Sequence, residues 1–172
     1  MGILNVEIKA KCDDLSTVRT LLLARNPINK GIDHQIDTYF NVAQGRLKLR
    51  EGSIENNLIH YIRENKEGPK TSAITLLKSE PGSSLKKILT DSIGILTIVD
   101  KQREIYYIEN VKFHIDTVKN LGTFIEIEAI DKNGSIGEEK LLDQCNYYMK
   151  LFNISDNHLI SVSYSDLILN FK

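Results

Sequence analysis

The segment Arg46-Leu47-Lys48-Leu49-Arg50 carries three basic residues at alternate positions, separated by leucines. Successive side chains of an extended strand point to opposite faces, so only a strand sorts this segment into one charged and one apolar face. The same period of two recurs along the chain. Leu4, Val6, Ile8 and Ala10 share one face, and Asn5, Glu7, Lys9 and Lys11 share the other. Residues 35–40 alternate as well and meet the basic strand across Ala43-Gln44-Gly45, a tight turn. Further strands are expected over 58–63, 73–78, 97–108, 111–118 and 123–131, and segment 161–169 is read as one that could close the sheet.

Helices are few. Residues 15–25 place Leu15, Val18, Leu21 and Leu22 on one stripe, with Asp13 or Asp14 as N-cap. A second helix is expected over 84–92. Ser135-Ile136-Gly137-Glu138 has the spacing of a capping box, which predicts a helix to about residue 152. Its candidate buried positions are Leu141, Leu142, Cys145, Tyr148 and Met149. The fold class is therefore mainly β with flanking helices (α+β), a barrel or a sandwich.

A chain of 172 residues fits a single domain over 1–172, with 41% hydrophobic and 26% charged residues. A net charge of −1 gives no reason to expect nucleic acid or an acidic membrane as partner. Any anion site must come from local clustering. Cys12 and Cys145 read as free thiols of a reducing compartment. Met1-Gly2 opens like a myristoylation signal, but Val6 stands where that signal needs Ser or Thr. The N-terminus lacks a signal-peptide pattern and no apolar run reaches membrane-spanning length, so a cytoplasmic location is expected. A homodimer stays open.

The charged faces bear on function. Arg46, Lys48 and Arg50 form a basic ladder, Lys9 with Lys11 and Lys101 with Arg103 form shorter ones, and Glu126 with Glu128 form an acidic pair. Like charges on one strand face repel unless a counter-charge lies opposite. A polyanion together with a hard divalent cation would satisfy both sets, since carboxylates suit Mg²⁺ or Mn²⁺ and Arg and Lys suit phosphate oxygens. The competing reading is a set of solvated surface stripes. His34, His60, His114 and His158 lack metal-ligand spacing, although His114 shares a face with Asp116.

Several blocks, in order, resemble one family. Asn5-Val6-Glu7-Ile8-Lys9 is similar to a Glu-x-Glu-x-Lys signature. Asp37-Thr38-Tyr39-Phe40 with Gly45 to Glu51 is similar to a second block, and 58–63 with Gly68-Pro69-Lys70 to a third. Lys101-Gln102-Arg103, then Asp116 and Leu121-Gly122-Thr123-Phe124-Ile125-Glu126-Ile127-Glu128, resemble the late basic and acidic blocks. Ser163-Tyr164-Ser165-Asp166-Leu167 resembles a last strand. The chain thus resembles the CYTH family, of class IV adenylyl cyclases and thiamine triphosphatases, also called triphosphate tunnel metalloenzymes.

The resemblance implies an eight-stranded antiparallel tunnel. Lys9, Arg46, Lys48, Arg50, Arg63, Lys101 and Arg103 would bind a nucleoside triphosphate or other triphosphate, with Lys11 extending the first basic face. Lys9 and Arg103 would be catalytic. Glu7, Asp116, Glu126 and Glu128 would hold Mg²⁺ or Mn²⁺. The implied activity is conversion of ATP to cyclic AMP and pyrophosphate. Hydrolysis of a triphosphate and binding without turnover are the alternatives. Asn5 departs from the signature's first glutamate, keeping an oxygen ligand but losing a charge.

Overall fold

The computed structural model describes residues 3–63, 65 and 68–170. Met1-Gly2, with its myristoylation-like start, lies outside the described residues. Eight strands run in chain order: β1 (Ile3–Lys11), β2 (Ile28–Phe40), β3 (Arg46–Glu51), β4 (Asn57–Arg63), β5 (Lys70–Lys78), β6 (Ile95–Ile108), β7 (Val111–Val118) and β8 (Gly122–Asp131). Helices α1 (Leu15–Leu23), α2 (Leu85–Ile93), α3 (Glu138–Leu151) and α4 (Tyr164–Asn170) decorate them. β1 pairs antiparallel with β5 on one side and with β8 on the other. That closes a barrel in the order β1-β5-β4-β3-β2-β6-β7-β8. The eight-stranded antiparallel tunnel implied by the resemblance is thus present.

The barrel is apolar outside and charged inside along much of its wall. Val6, Ile8 and Ala10 of β1, Phe113 and Ile115 of β7, and Ile125 and Ile127 of β8 all face outward. They pack against Val18 and Leu22 of α1 and Leu141, Cys145 and Tyr148 of α3. Each large side chain so buried contributes about 1.5–3 kcal/mol. The hydrophobic core therefore lies between wall and helices, and the alternate residues of the same strands are left to fill the barrel.

Local chemistry sets the helix ends. Asp14 caps α1, its Oδ1 accepting from the Thr17 amide at 3.0 Å. The expected capping box at Ser135 does not form. Asp131 instead accepts from the amides of Asn133, Gly134, Ser135, Ile136 and Gly137, and α3 starts at Glu138 without a side-chain cap. Leu142, expected inside, is 38% exposed because it lies off the stripe of Leu141, Cys145 and Tyr148. Segment 161–169 is not a strand. Its second half is α4, where Ser163 Oγ accepts from the Asp166 amide and Asp166 Oδ2 accepts from the Ser163 amide, a reciprocal cap. β2 also starts earlier than expected, at Ile28. Among the described residues, no helix is long and apolar enough to cross a membrane.

Candidate functional site

The barrel interior holds a cavity of about 160 Å³, lined among others by Glu7, Lys48, Arg50, Arg63, Lys101, Arg103, Glu126 and Glu128. Strand alternation puts these side chains there, because each is out of phase with the apolar residues that face the helices. Lys9 also points inward. Its ammonium lies 3.2 Å from Glu126 Oε1 and 4.0 Å from the centre of the Tyr164 ring.

Three clusters organise the charge. In the first, Asp37 of β2 accepts from Arg50 Nε at 2.9 Å, Lys48 Nζ at 3.0 Å and Lys101 Nζ at 2.7 Å. Against the cost of burial, Arg50, Lys101 and Lys48 hold the Asp37 carboxyl well below its usual range. Burial, with Arg50, Arg103 and Lys48 nearby, pulls the Lys101 ammonium down to about 7 despite Asp37.

The second cluster bridges three strands through one loop residue. Glu55, in the β3–β4 connection, accepts from Arg50 Nη1 at 2.9 Å, Lys112 Nζ at 2.5 Å and Gln35 Nε2 at 3.1 Å. Despite its burial, Lys112 and Arg50 hold the Glu55 carboxyl down. The loop is fixed by Asp33, fully buried, which accepts from Ser53 Oγ and from the amides of Ile54 and Glu55.

In the third cluster, Arg103 donates to both oxygens of Asp116, at 2.7 and 2.5 Å, and to Glu126 Oε2 at 2.7 Å. His114 Nδ1 lies 3.0 Å from Glu126 Oε2 and 3.6 Å from Glu128 Oε1. Burial together with Arg103 and Lys112 holds the imidazole below its ordinary value, which favours the neutral ring. One ligand atom from each of His114, Glu126 and Glu128 lies within 4.8 Å of the others.

On the β1–β4–β5 side, Arg63 pairs with Glu7. Its Nε and Nη2 are buried without a hydrogen-bond partner among the described residues. Lys70, also buried, donates to the Ile160 carbonyl at 2.5 Å. Burial, with Arg63 and Lys9 close by, pulls its ammonium down to about 7. The Asn5 side chain lines the same cavity, and its Oδ1 is buried with no hydrogen-bond partner among the described residues.

Lys11 and Arg46 do not line this cavity, and Asp116 sits behind Arg103. Lys11 is exposed and lines a surface depression with Asp13, Asp14 and His158. Arg46 donates to Asp166 of α4 at 2.8 Å and lines a separate pocket beside it. Asp116 is fully buried, and Arg103 with the Tyr164 hydroxyl at 2.8 Å occupies its oxygens. Asp37, Glu55, Lys70, Lys112 and Tyr164 are interior groups that the sequence reading did not single out as site residues. Lys112 was legible, because it alternates with His114 and Asp116 on β7.

A family model described as CYTH domain matches residues 4–153. A Methanocaldococcus jannaschii protein named "Putative adenylate cyclase" is 29% identical over 180 residues, covering 95% of this chain and 98% of that one. Solved structures share the fold, among them two described as adenylate or adenylyl cyclases. One, from Vibrio parahaemolyticus and described as a "putative adenylate cyclase", has a TM-score of 0.76 at 15% identity, covering 98% of this chain and 99% of its own. The other, from Hippeastrum and described as a "putative adenylyl cyclase" with a dominant triphosphatase activity, has a TM-score of 0.64 at 17% identity, covering 98% and 96%.

Proposed function

The chain belongs to the CYTH domain family, and from that premise we propose that it is a metal-dependent enzyme converting ATP to cyclic AMP and pyrophosphate inside the barrel. The observation that carries the reading is Arg63. A buried guanidinium with two nitrogens unpartnered among the described residues, close to Lys70 and facing the cavity it shares with Lys48, Arg50 and Lys101, leaves donors that a polyanion would satisfy.

Lys48, Arg50, Arg63 and Lys101 would hold the phosphate oxygens. The ribose 3′-hydroxyl attacks the α-phosphorus and gives up its proton to solvent, and the bond from the α-phosphorus to the oxygen bridging to the β-phosphate breaks to release pyrophosphate. Lys9 and Arg103 meet at Glu126, where they would stabilise charge on the transferring phosphoryl group. The donor set fits a divalent cation: Glu126 and Glu128 face the cavity with Asn5 and His114, each of which has a buried polar atom unpartnered among the described residues. Held there, the cation would neutralise charge on the phosphate oxygens. The curated relative's name supports the cyclase reading.

A second reading, hydrolysis of the terminal phosphate, is favoured by the activity stated for the Hippeastrum protein. Chromatography of a reaction of ATP with Mg²⁺ or Mn²⁺ separates the two. Cyclic AMP with equimolar pyrophosphate is expected. ADP and phosphate without cyclic AMP would replace the cyclase with a triphosphatase, and ATP binding without any product would make the protein a sensor.

A further inference from the structure

We propose that His114 is a metal ligand, and that His114, Glu126 and Glu128 form a nitrogen-containing site that favours Co²⁺ and Zn²⁺ over Mg²⁺. The inference rests on the reading of the barrel as a metal-dependent triphosphate site and names the residue that sets its ion preference.

The first support is the pairing of the carboxylates. Glu7 is paired with Arg63, Asp37 with Arg50, Lys48 and Lys101, Glu55 with Arg50 and Lys112, and Asp116 with Arg103. Glu128 differs. Among the described residues, its only ion-pairing neighbour is the His114 ring, at 3.6 Å. No lysine or arginine nitrogen among the described residues lies within ion-pair distance of it, although Lys112 stands opposite it in the β7–β8 register, so its oxygens stay open to a cation.

The second support is the imidazole. His114 is 1% exposed, and its Nε2 has no hydrogen-bond partner among the described residues. With no partner on Nε2, nothing fixes the ring proton at Nδ1, so Nδ1 is free to be the unprotonated, metal-binding nitrogen. Its Nδ1 points at both glutamates, at 3.0 and 3.6 Å. Ligand atoms at ~2.1 Å from an octahedral ion stand about 3 Å apart, so small shifts admit one ion among the three.

The third support comes from β1. Asn5 offers a neutral oxygen and Glu7 is engaged by Arg63, so that wall supplies little free negative charge. The β7–β8 wall supplies a nitrogen and two carboxylates, of which Glu126 shares its charge with Lys9 and Arg103 while Glu128 makes no close pair with a lysine or arginine among the described residues. Imidazole suits borderline ions such as Zn²⁺, whereas Mg²⁺ prefers an all-oxygen shell.

The test titrates the purified full chain with Co²⁺ and with Mg²⁺ by calorimetry, with and without inorganic tripolyphosphate. Electron spin-echo spectra of the Mn²⁺-loaded protein report any bound ¹⁴N. We expect nitrogen modulation in the wild type and a Co²⁺-to-Mg²⁺ affinity ratio that falls at least tenfold in His114→Gln, with the modulation lost. Glu128→Gln should weaken Co²⁺ binding at least tenfold yet keep the modulation. A triple variant replacing His34, His60 and His158 by Gln should keep it too, which assigns the nitrogen even if His114→Gln fails to fold. Bound Mn²⁺ without nitrogen modulation, or an unchanged ratio in folded His114→Gln, overturns the proposal. If tripolyphosphate then still binds with Mg²⁺, the parent reading survives alone. If neither tripolyphosphate nor any metal binds, both fall.

Discussion

Arg103 of β6 sits directly opposite Asp116 of β7, and its guanidinium grips that carboxylate through Nε at 2.7 Å and Nη2 at 2.5 Å. The Tyr164 hydroxyl donates to the same carboxylate at 2.8 Å. Asp116 thus holds Arg103 in place to face Glu126 from inside the wall. Breaking a buried pair by neutralising one partner costs about 3–5 kcal/mol. Asp116→Asn is expected to lower unfolding free energy by that amount in urea melts, with Co²⁺ affinity within threefold of wild type. A tenfold loss of metal affinity at full stability would instead make Asp116 a ligand.

Glu126 should behave differently from Glu128. It forms ion pairs with Lys9, Arg103 and His114, whereas the one ion pair of Glu128 among the described residues is with His114. Glu126→Gln is expected to cost stability, at about 1.5–3 kcal/mol for each charged hydrogen bond weakened, as well as metal affinity. Glu128→Gln should cost metal affinity with little change in thermal midpoint. Removing metal with EDTA should abolish turnover in the wild type, and restored Mg²⁺ or Mn²⁺ should recover it. Full turnover in EDTA would refute the metal requirement.

Lys70 and Lys101 both lie near 7, far below free lysine. Arg63, Lys9 and Arg46 surround the first, with Glu126 opposing; Arg50, Arg103 and Lys48 surround the second, with Asp37 opposing. Between about pH 7 and the free-lysine value the unfolded chain therefore binds more protons, and these two groups make stability rise with pH in that window. A polyanion reverses the balance by favouring the ammonium. At pH 8, tripolyphosphate binding should take up protons, visible as a binding heat that changes with the buffer's ionisation enthalpy, and affinity should fall towards pH 9. A buffer-independent heat would place both lysines already charged.

Glu55 competes with any anion for Arg50 and Lys112. Glu55→Gln should tighten tripolyphosphate binding about tenfold, the equivalent of ~1.4 kcal/mol, while lowering the thermal midpoint. Weaker binding in a folded variant would mean that Glu55 positions those cations rather than occupying them.

Most of the strands were legible because side-chain period is a local property. Val111–Val118 and the basic ladder of β3 could be read residue by residue. The cap expected at Ser135 and the strand expected over 161–169 both differ from the structure for one physical reason. Ser-x-x-acid spacing occurs at both Ser135 and Ser163, but Asp131 takes the amides at the first, while the Ser163–Asp166 pair takes them at the second. Which competitor wins depends on the folded loop, not on spacing. Within the site, residues that alternate on strands were legible. Glu55 was not, because its position is fixed by the distant Asp33. Lys11 has the right parity but lies at the last residue of β1, where the side chain has left the enclosed section.

Closure of the barrel joins the first strand to the last, with Leu4 opposite Asp131. A growing chain can pair β2 with β3, β3 with β4 and β4 with β5 as they emerge, yet β1 keeps an open hydrogen-bonding edge until β8 exists. Contacts this distant in sequence form slowly, because the loop entropy is spent before the pairing repays it. The outer faces of β1 and β8 also wait for α3, the next element made, to cover Ile8, Ile125 and Ile127. The last-made third of the chain thus decides whether the first strand is sealed or remains available to a neighbouring molecule, so truncation after β7 should yield aggregation rather than a smaller folded barrel.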